Sequence, residues 1–323
     1  MEIQKAVITA AGRGLRLYPA ADTVQKAMLP VVDRDGLSKP VIQIIAEEAL
    51  DSGVEEVCIV CAPGDEEKYL DQLGLLRENM LEAHKGVDWA LDQAHRLDNL
   101  VRRLQFAVQE EPLGYGHAVH CARDFVGAAP FLLLLSDHLY VSHVSGQRCA
   151  AQLIALAKQE ACAVAAVQAT REHLVGRYGT LAGKRLSDYT GVYEIEKILE
   201  KPALSRAELE LRTPGLRAGY YLCFFGMHVL TRAVFDLLNQ AISDQETPDN
   251  GFQLTPALQW LAERERYLAL EVQGARYDIG GKFGLLQAQI ALGLAGTDRD
   301  EVLTTMVESL AEATQRRGAD AGE

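Results

Sequence analysis

The sequence is short of positive charge. It carries 32 Lys and Arg against 45 Asp and Glu, a net charge of −13. That balance argues against a surface built for nucleic acid or for an anionic membrane. It leaves a nucleotide substrate open, provided that a local cluster of basic side chains and a divalent cation meet the phosphates. Long hydrophobic runs are missing too. The longest strongly apolar stretch, Phe131 to Leu135, is far too short to span a bilayer. Met1-Glu2-Ile3-Gln4-Lys5 enters a strand at once, without the layout of a signal peptide, so the expected setting is the cytoplasm. Cysteine is sparse, with six residues in 323, and a chain of this length needs no disulfides to bury a core. Cys58 and Cys61 make a C-x-x-C, but they sit in Val57-Cys58-Ile59-Val60-Cys61, which reads as a buried strand. Their spacing puts the thiols on opposite faces, and no second Cys/His pair completes a zinc site. Internal repeats and low-complexity stretches are absent as well.

What is present is ordinary for a globular protein, 48% hydrophobic and 24% charged. Short apolar runs alternate with longer helical patterns, the signature of βαβ units and a mainly parallel sheet. Strands are expected at 5–10, 56–61, 105–109, 131–135, 161–169, 191–200, 219–225 and 269–273, with a helix from Val41 to Leu50. Residues 65–104 are polar and helix-prone, with Leu70, Leu73, Leu76, Leu97, Leu100 and Leu104 recurring along one face. They read as a helical insertion packed on the body rather than a lid. Near the end, Val302, Met306 and Leu310 at i, i+4 and i+8 make an amphipathic helix, followed by a Gly/Ala/Asp tail expected to fray. The organisation expected is a catalytic domain over 1–296 and a C-terminal helix with a flexible tail over 297–323. The stripe suits docking on its own domain or on a second subunit of a homo-oligomer.

The first strand runs straight into Gly12-Arg13-Gly14-Leu15-Arg16. Glycines let a backbone approach phosphate oxygens with its N–H groups turned inward, and Arg16 adds a planar charged fork. The Walker pattern is absent, and the dinucleotide fingerprint fails because position 17 is Leu. Neither a G-x-S-x-G elbow nor a Cys/His signature is present. A lone G-x-G is as easily a plain turn.

Context settles its meaning. Arg16 is followed by Lys26-Ala27-Met28-Leu29-Pro30 and by Lys39-Pro40 at a helix start. Then come Gln109 before Gly114-Tyr115-Gly116-His117-Ala118-Val119, Leu135-Ser136-Asp137, Tyr178-Gly179, Glu200-Lys201-Pro202, Gln253-Leu254-Thr255 and Tyr277-Asp278-Ile279-Gly280. In this order the segments resemble the sugar-1-phosphate nucleotidyltransferase family, and within it the bacterial-type uridylyltransferases, over nearly the whole chain. The resemblance implies a Rossmann-like three-layer α/β/α fold with a mixed, mostly parallel central sheet. It also implies attack of a sugar-1-phosphate oxygen on the α-phosphorus of UTP, with glucose 1-phosphate as the default partner and pyrophosphate released. No protein nucleophile is needed for that reaction; positioning and electrostatics carry it.

Carried over position by position, Arg16 and Lys26 would hold the triphosphate and Lys201 the sugar phosphate. Ala11, Gly12, Gly14, Gln109 and Gly114 would meet the nucleotide, with Gly179 and Glu200 at the sugar. Asp137 and Asp278 fall at the ends of strand patterns, the edge where α/β folds bind ligands. Each by itself also suits a turn or a helix N-cap; the resemblance makes them the Mg²⁺ ligands. The amide of Gln109 suits the imide edge of uracil, and equally that of thymine, so dTTP is the close alternative to UTP. His117 and His120 read as structural. The family pattern is broken at Leu15, at Gln25-Lys26-Ala27, in the long loop 33–38, and at Gly251 and Pro256, where the family carries Glu and Asp. That last pair, expected near the sugar, is what a non-catalytic nucleotide-sugar-binding regulator on the same fold would rest on.

Overall fold

The computed structural model describes residues 1–12, 24–244, 248 and 251–320. Strand β1 (Lys5–Thr9) leads, after a 3-10 turn at Lys26–Met28, to a small hairpin of β2 (Pro30–Val32) and β3 (Ser38–Pro40). Helix α1 (Val41–Leu50) starts on Pro40, which has no N–H to leave unpaired there. Strand β4 (Glu56–Cys61) is followed by the insertion helices α2 (Asp65–Ala83) and α3 (Asp88–Arg103), then β5 (Leu104–Val108). Helices α4 (Tyr115–Cys121) and α5 (Arg123–Val126) lead to β6 (Phe131–Leu135). Next come β7 (His138–Ser142), α6 (Cys149–Glu160), β8 (Ala163–Arg171), β9 (Thr180–Arg185) and β10 (Val192–Leu199). Helix α7 (Leu204–Glu210) precedes β11 (Tyr220–Leu230), α8 (Ala233–Asp244) and α9 (Leu254–Arg264). The described chain ends with β12 (Tyr267–Glu271), β13 (Gly274–Asp278), α10 (Gly284–Leu294) and α11 (Arg299–Asp320).

Among the described residues, nine strands form one sheet in the order β5-β4-β1-β6-β11-β8-β12-β10-β9. The sheet is mixed, as expected, but parallel pairing is not general. It holds for β5-β4-β1-β6 and for β8 with β12, whereas β11 runs antiparallel to β6, β8 and β9, and β10 to β12 and β9. The physical reason is β11, a long strand wedged antiparallel between β6 and β8. The central strands β1, β4 and β6 are apolar almost without interruption because both faces are covered. One face packs on α1 and α6, with Ile42, Ile45, Leu153 and Leu132 in its core. The other packs on α4, α8 and α9 through Val119, Leu237, Leu258 and Leu133. Three α/β/α layers result.

The insertion lies against the body, as its periodicity predicts. Tyr69 and Leu100 join the core, and the ring of Tyr69 stacks 6.2 Å from Phe106. At the other end α11 continues to Asp320, past the point where the sequence pattern fades. Val302 packs on Gly293 of α10, but the stripe leaves the surface beyond Met306, and Leu310 is 66% exposed. The last three residues lie outside the described part. Among the described residues no helix is long and apolar enough to cross a membrane.

Lys39, from the Lys39-Pro40 motif, is buried beneath the hairpin, with its ammonium 2.9 Å from Asp33, 2.6 Å from Asp35 and 3.1 Å from Glu47. Three carboxylates offset the loss of water around one cation. The charge pins the long loop 33–38 to α1.

Candidate active site

The parallel strands deliver their C-terminal ends to one edge. Ser136 N–H bonds Thr9 C=O at 3.2 Å, Ala10 bonds Val60, and Gln109 bonds Cys61. Asp137, one residue beyond, therefore stands beside the end of β1. The carboxylate accepts a hydrogen bond from Lys26 Nζ at 2.8 Å on Oδ2, and His138 Nδ1 lies 2.7 Å from Oδ1. Burial by itself would raise the Asp137 pKa; His138 and Lys26 outweigh it and hold the group well below the usual carboxylate range.

Asp278 reaches the same place by a separate two-stranded ribbon. Strands β7 and β13 pair with Asp278 opposite His138, and Ile279 N–H bonds Asp137 C=O at 2.9 Å. Backbone pairing thus sets the two carboxylates side by side. Ligand atoms of Asp137, His138 and Asp278 lie within 4.8 Å of one another. Two carboxylates in that arrangement are the hard oxygen donors that suit Mg²⁺, and the fit is good.

Across the same cleft, β10 is followed directly by Glu200 and Lys201. Glu200 accepts a hydrogen bond from Thr255 Oγ1 at 2.6 Å, and Lys201 stands 3.4 Å from it. Lys201 has φ +41°, in the left-handed region that a side chain with a Cβ adopts only at a cost. Its ammonium remains exposed. Gly179 backs this wall: a Cβ there would come within 2.6 Å of the Phe224 ring and 3.2 Å of Glu200. Between the walls lies a cleft of about 900 Å³, ample for a nucleotide sugar. Asp137, Asp278, Gly179, Glu200 and Lys201 all line it. A smaller hollow of about 500 Å³ between α4–α5 and α8, lined by His120, Arg123 and Arg232, contains no predicted ligand-binding residue.

Lys26 joins the cleft through its ion pair with Asp137. Gln109 and Gly114 lie beside it rather than in its lining, with Tyr115 between. Gly114 needs to be glycine, since φ is +111° and a Cβ would meet the Phe252 backbone at 2.6 Å. Ala11 and Gly12 follow β1, and among the described residues nothing lies within 4 Å of where a Gly12 Cβ would stand. Gly14 and Arg16, with Leu15 and Leu17, lie outside the described residues. His117 is 3.0 Å from Gln109, and burial lowers its pKa. His120 faces the outer hollow.

Three cleft residues escaped the sequence reading. Tyr115 is half-buried in the cleft lining, its pKa raised by burial and then by the charges of Asp137 and Glu200. Its place inside the Gly114–Val119 segment was the available signal. Arg276 stacks 3.9 Å over the Tyr178 ring and donates to Phe224 C=O. Strand alternation from Asp278 points to it, because i and i+2 share a face. His228 is buried at the cleft floor, held by Tyr267 Oη at 2.8 Å and pushed down to about 3 by burial. Nothing local in the sequence marks it.

The two altered positions are displaced from where they were expected. Gly251 packs on the Leu113–Gly114 backbone with φ +68°, and Phe252 exchanges hydrogen bonds with Leu113 and Gly116. Pro256 is exposed on α9. Neither lines the cleft, so the pair lends no support to a non-catalytic reading.

The nucleotidyl transferase family profile matches residues 5–293, and the chain belongs to that family. Its UTP–glucose-1-phosphate uridylyltransferase relative from Bacillus subtilis (strain 168) is 32% identical over 316 residues, 96% of this chain and 97% of that one. Among solved structures, a UDP-glucose pyrophosphorylase complexed with UDP-glucose superposes with a TM-score of 0.71 at 28% identity, covering 90% of this chain and 98% of that one. The UTP-bound enzyme from Acinetobacter baumannii gives 0.74 at 28%, covering 96% and 100%.

Proposed function

We propose that the chain transfers a uridylyl group from UTP to a hexose 1-phosphate, glucose 1-phosphate by default, giving UDP-sugar and pyrophosphate. The observation that carries this reading is the facing of the Lys26–Asp137–Asp278 cluster with the Glu200–Lys201 wall across one cleft. The names and bound ligands of the similar proteins support the choice of UTP and glucose 1-phosphate. The expected setting is the cytoplasm.

In this scheme a phosphate oxygen of the sugar forms a bond to the α-phosphorus as the bond from that phosphorus to the bridging oxygen breaks, and pyrophosphate leaves. Lys201 would hold the sugar phosphate, and Glu200, fixed by Thr255, would accept from sugar hydroxyls. Lys26, oriented by Asp137, would face the triphosphate together with Arg16. Asp137 and Asp278 would hold Mg²⁺, which when bound spreads the charge of the phosphates. Preorganised charges of this kind lower the barrier without reorganisation at the moment of reaction.

The test is pyrophosphate release from a panel of nucleoside triphosphates, UTP and dTTP included, with hexose 1-phosphates, with and without Mg²⁺. Turnover of UTP with glucose 1-phosphate, lost on chelation, is expected. Preference for dTTP moves the assignment to thymidylyl transfer, and UTP binding without turnover of any pair overturns it.

A further inference from the structure

We propose that the Lys26–Asp137 ion pair gates the carboxylate pair: the lysine keeps divalent cations off Asp137 until the phosphates of a bound nucleotide draw its ammonium away. This rests on the metal assignment and the uridylyl-transfer reading above. Lys26 Nζ stands 2.8 Å from Asp137 Oδ2, and the two side chains are only 13% and 17% exposed. His138 Nδ1 lies 2.7 Å from Oδ1, so both oxygens of the carboxylate already meet a protein nitrogen. A carboxylate only accepts, so Nδ1 carries the proton of that bond. An imidazole N–H leaves Oδ1 a further lone pair to offer; the full charge on Oδ2 is the obstacle. A divalent cation held by Asp137 and Asp278 would have that ammonium as its neighbour. With little water between them, like charges repel far more than in solvent.

Lys26 is placed to leave. It comes from the 3-10 turn Lys26–Met28 and not from the central sheet. Gln25, just before it, has both side-chain amide atoms buried without a hydrogen-bond partner. Native structures leave few such groups unsatisfied, and each raises the free energy of the arrangement that holds it. The turn therefore carries a penalty in the position that puts Lys26 on Asp137. A shift of Lys26 that takes Gln25 along gives the amide the chance of a partner.

The consequence is an order of binding. Once the phosphates take over the ammonium, Oδ2 is released to the cation that the same phosphates attract. Cation and nucleotide then tighten each other's binding, by the same factor in both directions. Before that, the carboxylate pair is kept from taking up a cation with no substrate beside it. A pair that served only to hold the turn in place would behave in the opposite sense. Breaking it would leave Asp137 less well fixed and weaken metal binding, whereas breaking a gate strengthens it.

In the experiment Mn²⁺ stands in for Mg²⁺ and is titrated into the full chain, the unbound ion being read by EPR. Wild type, Lys26→Met and Lys26→Arg are compared with and without UDP-glucose. Met keeps the length of the side chain and removes its charge; Arg keeps the charge. Without nucleotide, Lys26→Met should bind Mn²⁺ about 10-fold more tightly than wild type, and Lys26→Arg within about threefold of it. UDP-glucose should tighten Mn²⁺ binding about 100-fold in the wild type and only about 10-fold in Lys26→Met. Equal or weaker Mn²⁺ binding by Lys26→Met without nucleotide overturns the gate. So does a wild type whose Mn²⁺ affinity UDP-glucose leaves unchanged although calorimetry shows the nucleotide bound, a reading that needs no variant to fold. Mn²⁺ binding that survives Asp278→Asn unaltered overturns the metal assignment, and the gate with it. Failure of UDP-glucose to bind at all overturns the uridylyl-transfer reading, and the comparison of Lys26→Met with wild type without nucleotide then decides the gate by itself.

Discussion

The two halves of the central sheet build their share of the cleft by different means. In β5-β4-β1-β6 every pairing is parallel, and Gln109, Ala11, Gly12 and Asp137 arrive together simply because parallel strands end on one edge. In the half formed by β11, β8, β12, β10 and β9, antiparallel pairing scatters the ends to both edges. That half brings its groups to the cleft with irregularities instead. The pairing of β11 with β8 slips between Phe224 and His228, around Gly226 with φ +89°. Lys201 takes a left-handed turn, and Gly179 lets the Phe224 ring close in. Regular topology brings most of the proposed nucleotide wall together, Gly114 excepted; the proposed sugar wall depends on local departures from it.

The largest effect is expected where the halves meet. Asp137→Asn removes the partner of Lys26 and one of the two carboxylates proposed to hold Mg²⁺. It should lower kcat by about 10³-fold, or about 4 kcal/mol, with either substrate varied. A loss confined to one substrate's KM would place Asp137 in one half only.

The next concerns the joint beneath the sheet, where Glu48 of α1 accepts Ala150 N–H of α6 at 3.0 Å. Burial pushes its carboxyl up from 4.5 to about 7, against the lowering by the Ala150 and Arg34 groups. Because the folded value lies above the unfolded one, the stability this group contributes is complete below pH about 4.5 and is lost as the pH rises through about 7. Thermal or urea unfolding of Glu48→Gln, relative to wild type, should gain at most about 3 kcal/mol between pH 5 and pH 8. A constant difference across that range would mean that Glu48 ionises freely in the fold.

Gly114→Ala and Lys201→Ala separate the halves. The first places a Cβ at positive φ against the Phe252 backbone and should cost about 2 kcal/mol of stability, read as a lower Tm, and weaken nucleotide binding. The second should raise KM for the sugar phosphate by about 10-fold, or about 1.4 kcal/mol, and leave KM for the nucleotide alone. If Lys201→Ala moves only the nucleotide KM, the sides have been assigned the wrong way round.

The legibility of the sequence follows the same divide. The strands of the parallel half are buried on both faces, so their apolar runs stand out, and the expected 56–61 and 131–135 coincide with β4 and β6. Strands β2, β3, β7, β9 and β13 were not anticipated: they are short, and each buries only part of its length. The antiparallel course of β11 could not be read from periodicity, which gives a strand's faces but not its direction. Gly251 looked like a sugar-side substitution because Gln253 and Thr255 follow it. Its left-handed backbone instead places it against Gly114, a contact between segments far apart in the chain.

The sequence by itself determined the α/β layering and the order of the glycine-rich, lysine and carboxylate motifs. Those follow from local periodicity and residue chemistry. Only the tertiary structure decided that Asp137 and Asp278 are neighbours, because the β7–β13 pairing that joins them is non-local. It also decided that Lys26 stands on Asp137, since a turn near the start of the chain and the end of β6 meet only in the fold.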